Sequence, residues 1–177
     1  MQAFRRHELR HAALGVAVLG ALLWAGDAGA QVAIGGAKLI EKDVSGKPAA
    51  ATAPMQIHVG DQVFQNEMVS TGAESLAQLA LRDETNVSLG PLSQVLLNKF
   101  VYSGSGSTAK QVVFDVTKGA FRFFSGNSAH DAYQVTTPQA EIGVRGTIYD
   151  VRIEPGGTRV VLQEGAVHAC VLRNRME

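Results

Sequence analysis

Within ten residues the chain places one cation and two anions, Glu141, Arg145 and Asp150, in a stretch otherwise apolar or small. Arg145 stands between Val144 and Gly146. A guanidinium there must pair or stay hydrated, because an unpaired buried charge is too costly. Its rigid fork of donors suits a carboxylate, either Glu141 or one on a partner. If Val144 points inward on a regular strand, Arg145 points outward. Gly143 and Gly146 flank the arginine, a sign of close backbone approach or an unusual dihedral. Thr137-Pro138 marks a strand end, since proline cannot serve a central ladder. Thr137, Pro138, Glu141, Arg145, Gly146 and Thr147 thus form either a corner of a β-framework or a surface that docks a partner.

Other chemistry leads less far. His58, His130 and His168 are distant in sequence, and none makes a close-spaced ligand pair with a Cys or an acid on one helix or ribbon, so no metal site is expected. Gly104-Ser-Gly-Ser-Thr-Ala109 matches the glycine spacing of a dinucleotide turn. Such a turn must open a helix, and Lys110-Gln-Val-Val-Phe-Asp-Val116 reads as a strand. Ser105 matches a nucleophile elbow only in part, again without the helix. Asn86-Val-Ser88 fits a glycosylation acceptor but reads as strand residues. No catalytic residue and no cofactor is expected.

The elements that must position these residues are strands. Apolar residues fall at every second place in Ala77/Leu79/Leu81, Val87/Leu89, Val112/Phe114/Val116, Phe121/Phe123, Tyr133/Val135, Tyr149/Val151/Ile153 and Val160/Leu162. A period of two marks strands with one face buried. Turn chemistry punctuates them at Arg82-Asp83-Glu84, Gly90-Pro91, Lys118-Gly119, Ser125-Gly126-Asn127, Pro155-Gly156-Gly157 and Glu164-Gly165. Such short strands and turns, about every 8–12 residues, indicate an all-β domain. The expected architecture is an irregular, twisted β-solenoid or roll, with a β-sandwich as the alternative. Residues 45–54, 103–108 and 125–131 read as loops outside the regular core. The one cysteine, Cys170, lies in the alternating Val167–Leu172 stretch and is expected buried in a strand.

The first thirty residues read as an export signal. Arg5, Arg6 and Arg10 precede an apolar run from Ala12 to Ala25, and Ala28-Gly29-Ala30 supplies a cleavage site before Gln31. As a helix the run spans about 21 Å, short of the roughly 30 Å hydrocarbon core. Without that segment 13 basic and 14 acidic residues remain, which is no electrostatic footprint for nucleic acid or an anionic membrane. The expected layout is a signal peptide over 1–30, a first strand and loop over 31–54, a β domain over 55–172 and a tail over 173–177. A domain of this size buries roughly two-thirds of its unfolded surface and does not depend on disulfides.

Three blocks carry a resemblance. Thr71-Gly-Ala-Glu-Ser-Leu-Ala-Gln-Leu-Ala-Leu-Arg-Asp-Glu-Thr-Asn-Val-Ser-Leu-Gly-Pro-Leu-Ser93, Thr137-Pro-Gln-Ala-Glu-Ile-Gly-Val-Arg-Gly-Thr147 and Gly157-Thr-Arg-Val-Val-Leu-Gln-Glu-Gly-Ala-Val167 together resemble a FecR domain, over roughly residues 55–172. The resemblance implies a bacterial envelope module with a twisted, solenoid-like β-structure and no active site. It also implies that the Thr137–Thr147 block is a framework motif. Members often run on past the last strand; this chain ends soon after it, so either this one is short or its last strand presents an open edge that a cap or partner must cover.

The expected function is a non-catalytic periplasmic protein-interaction or signalling module whose partner is another envelope protein. Its expected supports are the open final edge and the aromatic run Phe121-Arg-Phe-Phe124. Neither a nucleic-acid partner nor a stable membrane anchor after signal cleavage is expected. Direct sigma-factor contact does not carry over from the resemblance, because the cytoplasmic segment and spanning helix it requires have no counterpart here. The alternative is an envelope glycan-binding module. That would need aromatic platforms, for which Tyr102, Tyr133 and Tyr149 are the candidates once Trp24 leaves with the signal.

Overall fold

The computed structural model describes residues 31–103 and 106–172, and the expected signal over residues 1–30 with Trp24, the Gly104-Ser105 pair and the 173–177 tail fall outside them. Thirteen strands form one sheet. They are β1 (Ala33–Glu41), β2 (Val44–Pro48), β3 (Met55–Gln56), β4 (Gln62–Phe64), β5 (Glu67–Thr71), β6 (Leu76–Leu81) and β7 (Asn86–Leu89), followed by β8 (Gln94–Tyr102), β9 (Ala109–Lys118), β10 (Ala120–Phe124), β11 (Tyr133–Thr136), β12 (Ala140–Glu154) and β13 (Gly157–Val171). A single 3₁₀ turn, His130–Ala132, precedes β11.

The spatial order is β3-β2-β5-β8-β9-β11-β12-β10-β7-β6-β1-β4, with β13 added alongside β12. Every neighbouring pair is antiparallel except β9 and β11. The two end strands, β3 and β4, follow each other in the chain, so residues 57–61 tie the ends together. Tyr102 on β8 donates its hydroxyl across the roll to the Ile34 carbonyl on β1 at 3.1 Å. The result is the twisted roll, a curled half-barrel sheet; two facing sheets of a sandwich do not form.

The alternation read from the sequence is the packing of the core. Ala77, Leu79, Leu81, Val87, Leu89, Val112, Phe114, Val116, Val135 and Val151 are all buried. An aromatic chain runs through the middle: Phe123 lies 6.0 Å from Phe114, 5.5 Å from Tyr133 and 5.3 Å from Tyr149, centroid to centroid. Each such ring stabilises the fold by about 1.5–3 kcal/mol through burial alone. Phe121 and Phe123 belong to this core, so the expected aromatic patch at 121–124 is not a surface feature.

Three local expectations need correction. Residues 45–48 are not loop but most of β2, paired with both β3 and β5. Glu164-Gly165 is not a turn between strands. It is a bulge within β13, opposite a matching irregularity at Arg145–Ile148 of β12. Both strands enter the left-handed region there, Gly146 at φ 61° and Gly165 at φ 83°. The 125–131 loop is not wholly peripheral either, since Ser128 is buried. Ser128 donates to Asp83 at 2.7 Å and accepts the Ala109 N–H at 2.7 Å. Asp83 itself, read as a turn residue, is fully buried. Its carboxylate also accepts the Tyr133 hydroxyl at 2.9 Å and the Thr85 N–H at 3.1 Å.

Candidate functional site

The sequence motif lies at the start of β12, the most heavily shared strand of the sheet. β11 pairs with it over Glu141–Gly143, β10 over Ile148–Arg152, and β13 from Ala140 to Glu154. β12 is irregular between its β11 and β10 pairings, and Gly146, at φ 61°, lies within that irregularity. Thr147 secures it: its N–H donates to Ser125 Oγ at 3.1 Å and its carbonyl accepts the Ser125 N–H at 3.1 Å. Thr137 closes the turn from β11 into β12. Its Oγ1 accepts the Ala140 N–H at 2.9 Å, and its own N–H donates to the Ala140 carbonyl at 2.8 Å. The Thr158 hydroxyl, at 2.9 Å from Thr137 Oγ1, fastens the start of β13 to the same turn.

The remaining motif residues face outward. Pro138, Glu141 and Gly146 are exposed, while Val144 is buried at 6 % exposure. The Arg145 backbone pairs with Ala166, and its side chain lies outside the described residues. Asp150 faces Arg122 on β10. Arg122 Nε and Nη2 reach its two oxygens at 2.5 and 2.8 Å, and Gln163 Nε2 donates to it from β13 at 3.2 Å. The hydrogen bond from Arg122 holds the Asp150 carboxyl below its ordinary range. A second bidentate pair, Arg159 with Glu154 at 3.0 and 3.2 Å, bridges the two strands near their turn. Both pairs are solvent-facing, so each contributes about 1 kcal/mol or less.

Beyond this polar face β13 is open. It pairs with β12 and with no other strand among the described residues, which leaves one edge with unpaired N–H and C=O groups along Gly157–Val171. Its side chains are exposed on both faces, including Val161, Leu162, Val171 and Leu172. Cys170 is exposed, contrary to the expectation from alternation. Alternation identifies which face of a strand points inward, but β13 lies beyond the rim of the core, and Val171 is 80 % exposed even on its inward side.

The fold also assembles what the sequence kept apart. His130, Asp131, Glu141 and His168 line one cavity of about 1010 Å³ where the 3₁₀ turn meets β12 and β13. Among the described residues no three His, Cys, Asp or Glu side chains reach metal-binding spacing. The glycan platforms dissolve: Tyr133 and Tyr149 are buried, and Tyr102 lies beneath the Arg82 guanidinium at 4.5 Å.

The site is thus a stretch of a curled single sheet in which Thr137 and Thr147 make framework hydrogen bonds, beside one long edge that is open among the described residues. The FecR protein family matches residues 67–168, more than half of the chain, and the chain belongs to that family. The match is narrower than the span of the resemblance in the sequence. Comparison with curated proteins and with solved structures gives no match. The family comprises regulatory signalling proteins and not known enzymes.

Proposed function

We propose that this chain is a non-catalytic module of the bacterial envelope that works in signalling by docking another protein along the outer edge of β13. The observation that carries the reading is the edge itself, unpaired among the described residues over a fifteen-residue strand. An open edge of that length is a template for strand addition, in which main-chain hydrogen bonds supply affinity and alternate side chains supply selectivity. Thr158 to Gln163 is the best-held part of it. The Arg159–Glu154 pair, the Thr158–Thr137 contact and the Gln163–Asp150 contact fix that segment to β12. Val161 and Leu162 stand free on its opposite faces at 44 % and 45 % exposure, ready to be covered. Export to the periplasm by the N-terminal segment, with an envelope protein as partner, completes the proposal.

The test is photocrosslinking in living bacteria, with a photoreactive residue at Leu162 or Val161 and a control at Lys99 on β8. A discrete protein adduct from β13 and none from Lys99 is expected. No adduct from either β13 site, or the same adducts from Lys99, would overturn the reading.

A further inference from the structure

One pair of side chains on β13 has no part in the framework or in the Thr158–Gln163 edge. Cys170 Sγ lies 3.7 Å from His168 Nδ1, and both residues are exposed, which corrects the expectation that no histidine makes a close-spaced ligand pair with a cysteine on one ribbon. Two positions apart on a strand, they share a face. It is the outer one, because their register partners on β12 are Glu141 and Gly143 while Ile142 and Val144 are buried. A tetrahedral zinc ion holds sulfur at about 2.3 Å and imidazole nitrogen at about 2.0–2.1 Å, which sets the two donors about 3.5 Å apart. The observed separation is that of two ligands already on one edge of such a tetrahedron. Half of a site is present, and no third His, Cys, Asp or Glu of the described chain completes it.

The open edge limits where the other half comes from. A second copy pairing antiparallel with β13 about a two-fold axis keeps outer face on outer face only if paired residue numbers sum to an even value, as side chains alternate along a strand. Centred on Ala169, that rule sets His168 opposite Cys170 of the second copy and Cys170 opposite its His168. Directly opposed Cβ atoms lie about 4.5–5.5 Å apart, and second neighbours along a strand about 6.6–6.8 Å. Two thiolates and two imidazoles then surround one point on one face. The same register sets Val171, at 80 % exposure, against the half-buried Val167 of the second copy. We infer that residues 166–172 form a metal-bridged homodimer contact, with a two-Cys, two-His site for zinc or a similar divalent ion that takes nitrogen and sulfur ligands. Each thiol releases its proton to solvent as the metal binds. Residues 166–172 of the second copy leave Thr158–Gln163 uncovered, so the dimer contact and the proposed docking segment use different parts of the same edge.

The test is sedimentation of the full chain, kept reduced with a phosphine, during titration with zinc sulfate alone. The expected result is a doubling of mass that saturates at half a zinc ion per chain and is reversed by EDTA. Cobalt(II) in place of zinc should show the thiolate charge-transfer band of a tetrahedral site. Cys170→Ser and His168→Ala should each abolish the doubling and leave the circular dichroism unchanged, because both side chains are exposed. Saturation at one zinc ion per chain without a change of mass would overturn the inference. A dimer that persists in Cys170→Ser would overturn it too, as would one that resists EDTA but is cleaved by reductant.

Discussion

Tyr149→Phe should make this protein more stable. Tyr149 is fully buried at the centre of the aromatic chain, yet its hydroxyl has no hydrogen-bond partner among the described residues. Burial pushes that hydroxyl well above the ordinary tyrosine range, so it stays neutral at any pH used in an assay. A buried hydroxyl without a partner costs about 1–3 kcal/mol relative to water. The substitution removes one oxygen and leaves the ring, with its 5.3 Å contact to Phe123, in place. The expected gain is about 1–2 kcal/mol, a rise in Tm of roughly 3–7 °C for a domain of this size. In urea unfolding the midpoint should rise by about 0.5–1 M with the slope unchanged. Tyr133→Phe is the internal control, since that hydroxyl donates to Asp83 at 2.9 Å and accepts the Ser128 N–H at 3.0 Å. It should lose about 1–3 kcal/mol. Two tyrosines on either side of Phe123 thus respond to the same substitution with opposite signs. If Tyr149→Phe is neutral or destabilising, its hydroxyl is satisfied in solution and the reasoning from burial fails.

Asp83→Ala leaves the Ser128 and Tyr133 hydroxyls and the Thr85 N–H without their acceptor. A loss of about 3–5 kcal/mol is expected in denaturant unfolding, with Asp83→Asn losing distinctly less because one oxygen and the shape remain. The pH dependence of stability has two contributors of opposite sign. Glu67 is 4 % exposed, and burial raises its carboxyl above the ordinary value of 4.5 despite the hydrogen bond it accepts from the Phe64 N–H. The folded state therefore holds the Glu67 proton more tightly than the unfolded chain, and stability falls as pH rises from about 4.5 through the raised value. Asp150 runs the other way: its lowered carboxyl contributes stability above the ordinary value of 3.8 that is lost as pH falls through the folded value. Glu67→Gln should remove the first slope, with a higher Tm than the parent at pH 7 and a difference that shrinks towards pH 4. A constant difference across that range would exclude Glu67 as its source.

What the sequence made legible is what alternation encodes. A period of two names the inward face of each strand, and Leu79, Phe114, Phe123 and Val151 all lie where it puts them. Alternation says nothing about how far a strand lies from the core, which is why Cys170 and Leu162 were expected buried and are not. It is equally silent on polar groups that meet across the fold. Asp83 and Ser128 are 45 positions apart, in stretches that read as a turn and a polar loop, and no local signal marks them as one buried network. The Thr137–Thr147 block was legible as a motif, with framework corner and docking surface as competing roles.

The geometry of β12 makes those two roles less opposed than they look in sequence. β12 pairs first with β11 and then with β10, and the break at Gly146 falls where it changes neighbours. The partner strand must break in step, and it does so at Gly165, where an added Cβ would meet the Gly146 carbonyl oxygen head-on. Thr147 holds the far side of that break while Thr137 holds the turn into β12, and β13 follows β12 through it as one continuous fifteen-residue strand. Because β11 and β10 occupy the inner side of β12 between them, β13 is held on the outer side, away from the core. The framework residues therefore need not touch a partner to matter for the proposed docking. They determine that the last strand is long, straight enough to remain continuous, and open along one edge.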